Sequence, residues 1–331
     1  MALTLALAGD TMLGRGVADQ LRRSPTPQML FAAEVRQVLA EADLVVLNLE
    51  CCISDRGNRW PNPYKTFFFR APPAAADVLA ELGVDCVTLA NNHALDYGFD
   101  ALTDTRALLE RAGVRTVGAG HDVLAAREFA VLEAKGVRLA VAAFTDHPEE
   151  YAADEQRPGA AWADLGAGVP DWLGALVARA AREADAVLVT PHWGPNMTSR
   201  PPPHVRVAAP QLLAAGATLI AGHSAHVFHG VADRILYDMG DFVDDYAVHP
   251  ALRNDLGLLF LVTLGGPDSA SLAPVHLEAL PLFLDFCHTR LAHGEEREWI
   301  RDRFIAACAE LGTDVGERAG RLTVDWRRAM R

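Results

Sequence analysis

Short apolar runs alternate with longer amphipathic stretches through the first part of the chain. Three apolar runs predict buried strands, at Leu3 to Ala8, Leu44 to Leu49 and Val84 to Ala90. Amphipathic stretches predict helices between and after them, at Phe31 to Ala42, Pro72 to Leu82 and Asp100 to Ala112. This alternation is typical of βαβ units around a buried sheet, so the sequence predicts an α/β fold.

The pattern changes where two strand-like runs are separated only by Lys135-Gly136. These runs, Glu128 to Ala134 and Val137 to Phe144, predict a hairpin and therefore a mixed sheet. The alternation then returns, with a helix at 170–184, a strand at Ala186 to Thr190, a helix at Val205 to Ala215 and a strand at Thr218 to Ala221. The last two apolar runs predict a closing antiparallel pair, at Leu256 to Leu264 and Ser271 to Leu280.

Two segments rich in proline and polar residues predict loops, Arg56 to Thr66 and Pro195 to His204. Neither an internal repeat nor a low-complexity linker divides the chain. We therefore predict one domain over residues 1–280, with a C-terminal helical extension at 281–331 packed on it.

The composition is that of a globular protein. Hydrophobic residues make up 50% of the chain and charged residues 22%, and no apolar run has the length of a membrane span. The apolar N-terminus lacks a basic segment and leads directly into Gly9-Asp10, which favours a buried strand over a secretory signal. The five cysteines contain no CxxC pair and fit reduced core thiols. We expect a cytoplasmic protein.

The formal charge of −13 disfavours nucleic-acid and membrane partners, since both require a basic surface. A small anionic substrate would need local positive charge, and bound metal ions are one source of it. The sequence indicates no oligomeric state.

Polar residues follow the predicted strands at the points where the strands end. They are Asp10, Glu50, Asn92 with His93, His192, and His223 with His226. Because the carboxyl ends of strands in open α/β sheets form the binding crevice, these side chains can converge. Carboxylate, amide and imidazole ligands together suit Mn, Fe or Zn better than Ca.

Each of these positions also has a structural interpretation. Asp10 could cap a helix, Glu50 could end a strand in solvent, and Asn91-Asn92-His93 could form a turn. His192 could be a core histidine. The two histidines of Gly222-His223-Ser224-Ala225-His226 are the hardest to explain without a metal.

Six segments, taken in order, resemble the CapA-like proteins of poly-gamma-glutamate capsule synthesis, in the calcineurin-like metallophosphatase superfamily. They are Gly9-Asp10-Thr11-Met12-Leu13-Gly14-Arg15, Asn48-Leu49-Glu50, Ala90-Asn91-Asn92-His93-Ala94-Leu95-Asp96, His192-Trp193-Gly194, Gly222-His223-Ser224-Ala225-His226-Val227 and Tyr237-Asp238-Met239-Gly240-Asp241-Phe242. The resemblance implies a four-layer sandwich, in which two mixed β-sheets are flanked by helices and two divalent metal ions lie at the strand ends.

The resemblance also implies ligands for each metal ion. The matching positions are Asp10 and His226 for the first metal, Asn92, His192 and His223 for the second, and Glu50 as the bridge. The superfamily usually has a histidine ligand two residues after the aspartate, where this chain has Met12. We therefore expect a first site that is weaker or differently completed. Two residues separate His223 from His226, where many relatives have one, which makes His223 the less secure ligand.

The same resemblance implies catalytic residues. His93 matches the family histidine that contacts the phosphoryl group and assists the leaving group, which makes it an acid candidate. Asp96 is expected to orient the ring of His93. Apart from the resemblance, Arg15 follows Asp10 by about one turn and is expected to neutralise a non-bridging oxygen, with a surface salt bridge as the alternative.

Two further groups of polar residues have open interpretations. The carboxylates between Tyr237 and Asp245 could recognise a substrate amine, support His226 and His229, or form an acidic solvated turn. His147, His204 and His229 are candidates for substrate contacts.

The predicted function is metal-dependent hydrolysis of a phosphoester, by a phosphatase or phosphodiesterase that uses water activated by a binuclear centre. The predicted partner is a small, phosphorylated anion. The same metals could hydrolyse an amide such as a gamma-glutamyl bond. A third possibility is a non-catalytic factor in capsule or natural-product biosynthesis.

Overall fold

The computed structural model describes residues 2–267 and 272–326. The strands, in chain order, are β1 (Ala2–Thr11), β2 (Leu44–Leu49), β3 (Cys52–Ile53), β4 (Arg70–Ala71), β5 (Cys86–Thr88), β6 (Arg115–Val117), β7 (Ala119–Gly120), β8 (Ala130–Ala134), β9 (Val137–Thr145), β10 (Gly159–Ala160), β11 (Ala186–His192), β12 (Leu219–Ala221), β13 (Val231–Ala232), β14 (Ile235–Leu236), β15 (Asp241–Val243), β16 (Leu256–Gly265), β17 (Ala273–Asp285), β18 (His288–Leu291), β19 (Gly316–Arg318) and β20 (Arg321–Asp325). The helices are α1 (Arg15–Arg23), α2 (Ala33–Leu39), α3 (Ala75–Glu81), α4 (Gly98–Arg111), α5 (Val123–Ala126), α6 (Asp171–Glu183), α7 (Pro203–Ala215) and α8 (Gly294–Ala309). None of these described helices is both long enough and apolar enough to cross a membrane.

Two large sheets organise the described residues. In the first, the strand order is β19-β20-β17-β16-β1-β2-β5-β6, with β15 also paired to β1 and β18 to β17. Its strands β1, β2, β5 and β6 are parallel, whereas β16 runs antiparallel to β1. The second sheet has the order β13-β14-β12-β11-β9-β8. It is also mixed, because β8 runs antiparallel to the parallel strands β9, β11 and β12.

The side chains of β1 show how the layers pack. Successive side chains of a strand point to opposite faces of the sheet. Leu5 and Leu7 belong to the core between the two sheets, together with Leu188 of the second sheet. Ala6 and Ala8 belong to a different core, on the helix-covered side of the first sheet. One strand therefore contributes to both cores.

The second sheet repeats this arrangement. Val187 and Val189 of β11 pack in a third core with Val177 of α6 and Leu212 of α7. The alternate side chain, Leu188, faces the first sheet. The layers are thus helix, sheet, sheet and helix, and the predicted four-layer sandwich is confirmed.

Most predicted elements are present within a few residues of their predicted bounds. β2 matches its prediction in full, and the hairpin around Lys135-Gly136 is the antiparallel pair of β8 and β9. β16 and β17 are antiparallel as predicted, but they lie inside the sheet, because β20 pairs with the far side of β17. Ser271, the predicted start of that second run, lies outside the described residues.

Two boundaries near the site differ from the prediction. α7 begins at Pro203, inside the predicted loop, because proline fits the first turn of a helix, where its missing N–H has no partner to lose. β11 continues past Thr190 to His192, because it pairs with β9 as far as Thr145.

The C-terminal segment 281–331 contains α8 and the strands β18, β19 and β20. β17 crosses residue 280, and β18 and β20 both pair with it. Ile300 and Phe304 of α8 enter the core between the two sheets. The division at 280 stays a prediction, and residues 327–331 lie outside the described part of the chain.

β1 approaches β15 closely at Gly9. The amide of Asp10 donates a hydrogen bond to the carbonyl oxygen of Gly240 at 2.9 Å. A Cβ atom at Gly9 would lie 1.9 Å from that same oxygen, so only glycine fits. The contact places Asp10 opposite Asp241, its register partner in β15.

Gly9→Ala is therefore expected to lower the free energy of unfolding by roughly 3 kcal/mol, because the clash is with backbone and cannot be relieved by a side-chain rotation. Denaturant unfolding followed by circular dichroism measures the change. Gly174→Ala is the matched control, since its Cβ would meet nothing within 4 Å and it lies inside α6. There alanine is expected to stabilise the helix by about 0.5–1 kcal/mol. Equal stability of the two variants would contradict the packing described at Gly9.

Candidate metal centre

The predicted carboxylate and histidine ligands come together where the strands of both sheets end. Two groups of donor atoms each lie within 4.8 Å of one another among the described residues. The first group is Asp10, His192 and His223, and the second is Asp10, Glu50, His226 and Asp241. All of these residues are buried. Asp10 belongs to both groups.

The carboxylate of Asp10 lies between the two groups. Its Oδ1 accepts a hydrogen bond from Asn48 Nδ2 at 2.6 Å and lies 3.6 Å from His223 Nδ1. Its Oδ2 lies 3.3 Å from His226 Nδ1. The resemblance gave the bridging position to Glu50, whose Oε1 lies 3.9 Å from His226 Nε2. The carboxylate shared by both groups in the structure is that of Asp10.

Several donor atoms at this centre are buried without a hydrogen-bond partner among the described residues. They are Asp10 Oδ2, Glu50 Oε1, Asn92 Oδ1, His192 Nε2 and Asp241 Oδ2. Buried polar atoms are normally paired, so a cluster of unpaired ones needs an explanation. Convergent carboxylate, amide and imidazole donors fit divalent metal ions, and the buried clusters are consistent with a binuclear site.

The consecutive asparagines after β5 have different surroundings. Asn91 Nδ2 donates to Asn48 Oδ1 at 3.0 Å and to the Leu49 carbonyl at 2.9 Å. Its side-chain oxygen accepts from the amide of His93 at 3.0 Å. Asn91 therefore holds the loop, whereas Asn92 keeps a buried side-chain oxygen available for a metal ion.

The turn after β12 brings its two histidines to the centre. The backbone of His223 pairs with that of His192 in a parallel bridge, and their Nδ1 atoms lie 2.8 Å apart. His226 has a φ of 60°, in the left-handed region that non-glycine residues rarely adopt. Such residues cluster at functional sites, where the surrounding structure holds them in place.

Burial shapes the ionisation of the carboxylates. It raises the pKa of Asp10 to about 7, against the opposing effect of His226. The pKa of Glu50 is also raised, first by burial and then by the charge of Asp10. Asp241 behaves in the same way, with burial and then Asp244 raising its pKa. In the absence of metal, these groups hold protons at higher pH than they would in water.

Burial acts in the opposite direction on two of the histidines. It lowers the pKa of His223 to about 3 and also lowers that of His192, where the neighbouring His223 adds to the effect. Burial lowers the pKa of His226 too, but the charges of Glu50 and Asp10 outweigh it, and the net shift is upward. His192 and His223 are therefore neutral, as metal ligands must be.

Metal binding is expected to release protons, and to release more of them at pH 6 than at pH 8. Asp10 must ionise before it can bind a metal ion, and its pKa of about 7 lies between these two values. The affinity for Mn²⁺ is therefore expected to rise as the pH rises through 7. Calorimetric titration in two buffers of different ionisation enthalpy counts the protons. Equal proton release at both pH values would contradict the assignment of Asp10 as a ligand.

Asp96 fixes the ring of His93. Its Oδ2 lies 2.6 Å from His93 Nδ1 and also accepts from the amide of Phe69. Its Oδ1 lies 3.0 Å from Lys65 Nζ. Nδ1 of His93 therefore donates to Asp96, and Nε2 faces the centre, 3.9 Å from Glu50 Oε1. Burial lowers the pKa of His93 to about 4, although Asp96 opposes it, so the free protein holds a neutral ring.

Arg15 lies outside the two donor groups. Its Nε donates to Asp245 Oδ1 at 2.9 Å, which is the salt bridge that the sequence left as the alternative. The guanidinium carbon lies 5.3 Å from the ring centre of Tyr246. The hydroxyl of Tyr246 donates to Glu50 Oε2 at 3.0 Å. One aromatic side chain therefore separates Arg15 from the carboxylates of the centre.

The interpretation of residues Tyr237 to Asp245 as a solvated acidic turn is wrong. Asp238, Asp241 and Asp244 are buried, because β15 pairs with β1 inside the sheet. Asp241 Oδ1 lies 2.8 Å from His226 Nδ1, so this segment does contact His226. The ring of His229 has a different partner, because its Nε2 lies 2.7 Å from the carbonyl oxygen of Thr198.

His147 and His204 meet at Asp146. His204 Nε2 lies 3.0 Å from Asp146 Oδ2, and His147 Nδ1 contacts the other carboxylate oxygen. The ring centre of His147 lies 5.2 Å from that of His192. Both side chains are partly exposed beside the centre, whereas His229 is buried. Their roles as substrate contacts stay predictions.

Sequence reasoning missed Asn48, Lys65 and Asp241 as parts of this centre. Asn48 and Asp241 stand in the motifs that carry the family resemblance, but Asn48 was assigned no role and Asp241 was included only among the carboxylates that could bind a substrate amine or support His226 and His229. Gly240-Asp241 repeats the pair Gly9-Asp10, and that repetition is the signal that could have identified Asp241. Lys65 lies in an irregular loop, where no pattern marks it.

Comparison with known proteins identifies the family of this chain. Residues 4–246 match the family described as bacterial capsule synthesis protein PGA_cap. A protein of Mycobacterium tuberculosis, named "Probable polyglutamine synthesis accessory protein", is 32% identical over 97% of this chain and 95% of its own length. The capsule biosynthesis protein CapA of Bacillus anthracis is 30% identical over 73% of this chain and 60% of its own length. The PGA biosynthesis protein CapA of Bacillus subtilis is 28% identical over 73% of this chain and 63% of its own length.

Solved structures share the fold. A candidate 5'-nucleotidase of Staphylococcus aureus has a TM-score of 0.51 and 14% identity, over 92% of this chain and 58% of that one. A hypothetical protein of Thermus thermophilus has a TM-score of 0.50 and 16% identity, over 86% of this chain and 100% of that one. Identities this low show the fold alone. With a metallophosphatase-like fold and a buried cluster of histidines and carboxylates, the chain belongs to the PGA_cap family of bacterial capsule synthesis proteins.

Proposed function

We propose that this protein is a metal-dependent phosphoesterase, a phosphatase or phosphodiesterase with a binuclear metal centre. The position of Asp10 carries the proposal, since its two oxygens face His223 on one side and His226 on the other. Binuclear hydrolases hold their ions about 3.5–4 Å apart, a spacing that a shared carboxylate can span. The proposed substrate is a small phosphorylated anion.

The two donor groups divide the proposed ligands between two ions. Asp10 would be shared, with Glu50, His226 and Asp241 holding one ion and Asn92, His192 and His223 the other. Met12 offers no hard donor to the first ion, since it is a buried thioether whose sulfur accepts from the Gly14 amide at 3.0 Å. In this proposal Asp241 completes that site in place of the missing histidine.

The chain's own residues would position the phosphoryl group. When bound, the two ions supply an acidified water as nucleophile and positive charge for the phosphoryl oxygens. His93 presents Nε2 to the same space, while Asp96 holds its ring and Phe69 stacks on it at 4.1 Å. A doubly negative group against Nε2 favours the protonated imidazole. His93 would then deliver that proton to the leaving oxygen.

A second candidate is hydrolysis of an amide such as a gamma-glutamyl bond. It is favoured by the names of the relatives, which concern polyglutamine synthesis and PGA biosynthesis. An activated water can attack a carbonyl carbon as well as phosphorus. The same ligands would serve either reaction.

The test combines metal analysis with a substrate screen. Protein purified without chelator and loaded with Mn²⁺ is expected to hold about two ions per chain by plasma mass spectrometry. Phosphomonoesters, phosphodiesters and gamma-glutamyl amides are then assayed side by side, and phosphate release is the expected result. Release of amine without phosphate would replace the proposal with the amidase. Two ions with no turnover of either class would indicate a non-catalytic role in capsule or natural-product biosynthesis.

A further inference from the structure

A pocket of about 300 Å³ opens beside the metal centre, and four arginines line it. They are Arg15, Arg22, Arg59 and Arg70. The lining contains one acidic residue, Asp19. The chain as a whole carries a formal charge of −13, so this cluster of arginines is a local positive region in an acidic protein.

The pocket lies one aromatic ring away from the metal centre. The guanidinium carbon of Arg15 lies 5.1 Å from the ring centre of Phe69, and the ring centre of His93 lies 4.1 Å from that same ring centre. Phe67 also lines the pocket and is 57% exposed. Arg15 of the pocket and His93 of the centre therefore contact the same buried ring, so the pocket and the centre are neighbours.

Two of the four arginines have no carboxylate partner in the described part of the chain. Arg15 pairs with Asp245 and Arg22 with Asp19, whereas Arg59 and Arg70 form no ion pair within 4.0 Å there. Aromatic rings hold both of them instead. The guanidinium carbon of Arg59 lies 5.1 Å from the ring centre of Phe68, and that of Arg70 lies 4.1 Å from the ring centre of Tyr97.

This stacking leaves the hydrogen-bonding edges of the guanidinium groups available. Within the described part of the chain, the guanidinium group of Arg70 donates one hydrogen bond, at 3.4 Å, to the carbonyl oxygen of Arg56. A guanidinium group held by its face presents a planar fork of N–H groups, which matches the oxygens of a phosphate or a carboxylate. Neighbouring positive charges repel one another, and an anion between them removes that repulsion.

We propose that this arginine pocket binds a second anionic group of the substrate, a phosphate or a carboxylate, while the first occupies the metal centre. The inference deepens the proposed function, because it makes the substrate a molecule with at least two anionic groups. The inference rests on the proposed function for one point only, which is the identity of the bond that is cleaved.

The test measures binding of non-hydrolysable probes to the Mn²⁺-loaded protein by calorimetry. Butylphosphonate carries one anionic group. Alkane-α,ω-bisphosphonates and ω-phosphonocarboxylates carry two, with spacers of three to six carbons. The best doubly anionic probe is expected to bind about tenfold more tightly than butylphosphonate, the gain of one good charge-assisted contact. Whether the bisphosphonate or the phosphonocarboxylate gains more identifies the second group.

Arg59→Gln/Arg70→Gln is expected to abolish that gain and to leave butylphosphonate binding unchanged. Arg59→Lys/Arg70→Lys keeps the charge without the planar fork, so part of the gain should remain. Arg138→Gln/Arg179→Gln is the matched control, since both arginines pair with glutamates and neither lines the pocket. Thermal melts of all variants show that they are folded.

Each result decides the proposal. No gain at any spacer length, or a gain retained in the double glutamine variant, would overturn the arginine pocket. If butylphosphonate fails to bind while doubly anionic probes still bind through Arg59 and Arg70, the pocket stands and the phosphoesterase proposal falls. If no probe binds, both proposals fall.

Discussion

Asp10→Ala is expected to remove both metal ions and to lower metal-dependent turnover by about a thousandfold or more. Asp10 belongs to both donor groups, so its loss would take a ligand from each of the two proposed ions. Replacing a ligand found in only one group, such as His223, should spare the other site. Metal content by plasma mass spectrometry and kcat/KM on the best phosphoester measure the two effects. A variant that still binds two ions with the affinity of the parent would contradict the shared position of Asp10.

Loss of ligands must be separated from loss of the fold, and Asp10→Asn provides that separation. The folded-state pKa of Asp10 is raised from 3.8 to about 7, so its contribution to stability is fully present below pH 3.8 and is lost as the pH rises through about 7. At pH 8 the metal-free asparagine variant should therefore melt no earlier than the metal-free parent. Asp85→Asn is the matched control. Its carboxylate accepts from the Val45 amide at 2.8 Å, away from the donor groups, so its metal content should not change.

His93→Ala is expected to leave both metal ions bound and to lower kcat by a factor of about 10²–10⁴, the usual worth of a positioned acid or base. Nε2 of His93 faces the centre, yet the ring belongs to neither donor group. Steady-state kinetics and metal analysis of the same preparation test both parts. Undiminished kcat would refute the proposed role, and loss of metal would make His93 a structural residue of the centre.

Two further variants sharpen the result for His93. Asp96→Asn keeps the imidazole but weakens the acceptor that fixes it, so a smaller loss of kcat with a shifted pH profile is expected. His121→Ala removes an imidazole whose side chain is 72% exposed, and it should not alter kcat. If Asp96→Asn lowered kcat as far as His93→Ala does, Asp96 would have a role beyond orienting the ring.

The family comparisons and the centre bear on different questions. Relatives named for capsule or polyglutamine synthesis place the chain in its family, and their names alone identify no reaction. The donor atoms that are buried without a hydrogen-bond partner among the described residues bear on chemistry, because metal ions would offset the free-energy cost of burying them. Substrate class then depends on the surroundings of the centre, where the arginine pocket favours a molecule with more than one anionic group.

The sequence by itself determined the fold class and the general location of the site. Apolar runs are local signals, so β2 and the hairpin of β8 and β9 could be predicted from the residues alone. The carboxyl ends of parallel strands share an edge, so polar residues at those ends indicated one site. The family resemblance added the second sheet and the four layers, which periodicity could not supply.

Only the tertiary structure decided how the donor atoms are shared. Asp241 lies beside Asp10 because β15 pairs with β1. These strands are far apart in the chain, so no local sequence pattern predicts that they pair. The same pairing buried the carboxylates that the sequence also allowed as a solvated turn. The arginine pocket likewise joins α1 to the loop after β3, where the sequence shows only scattered arginines. Local periodicity determines which face of an element is buried, whereas ligand geometry depends on contacts between distant elements, and these form only when the chain packs.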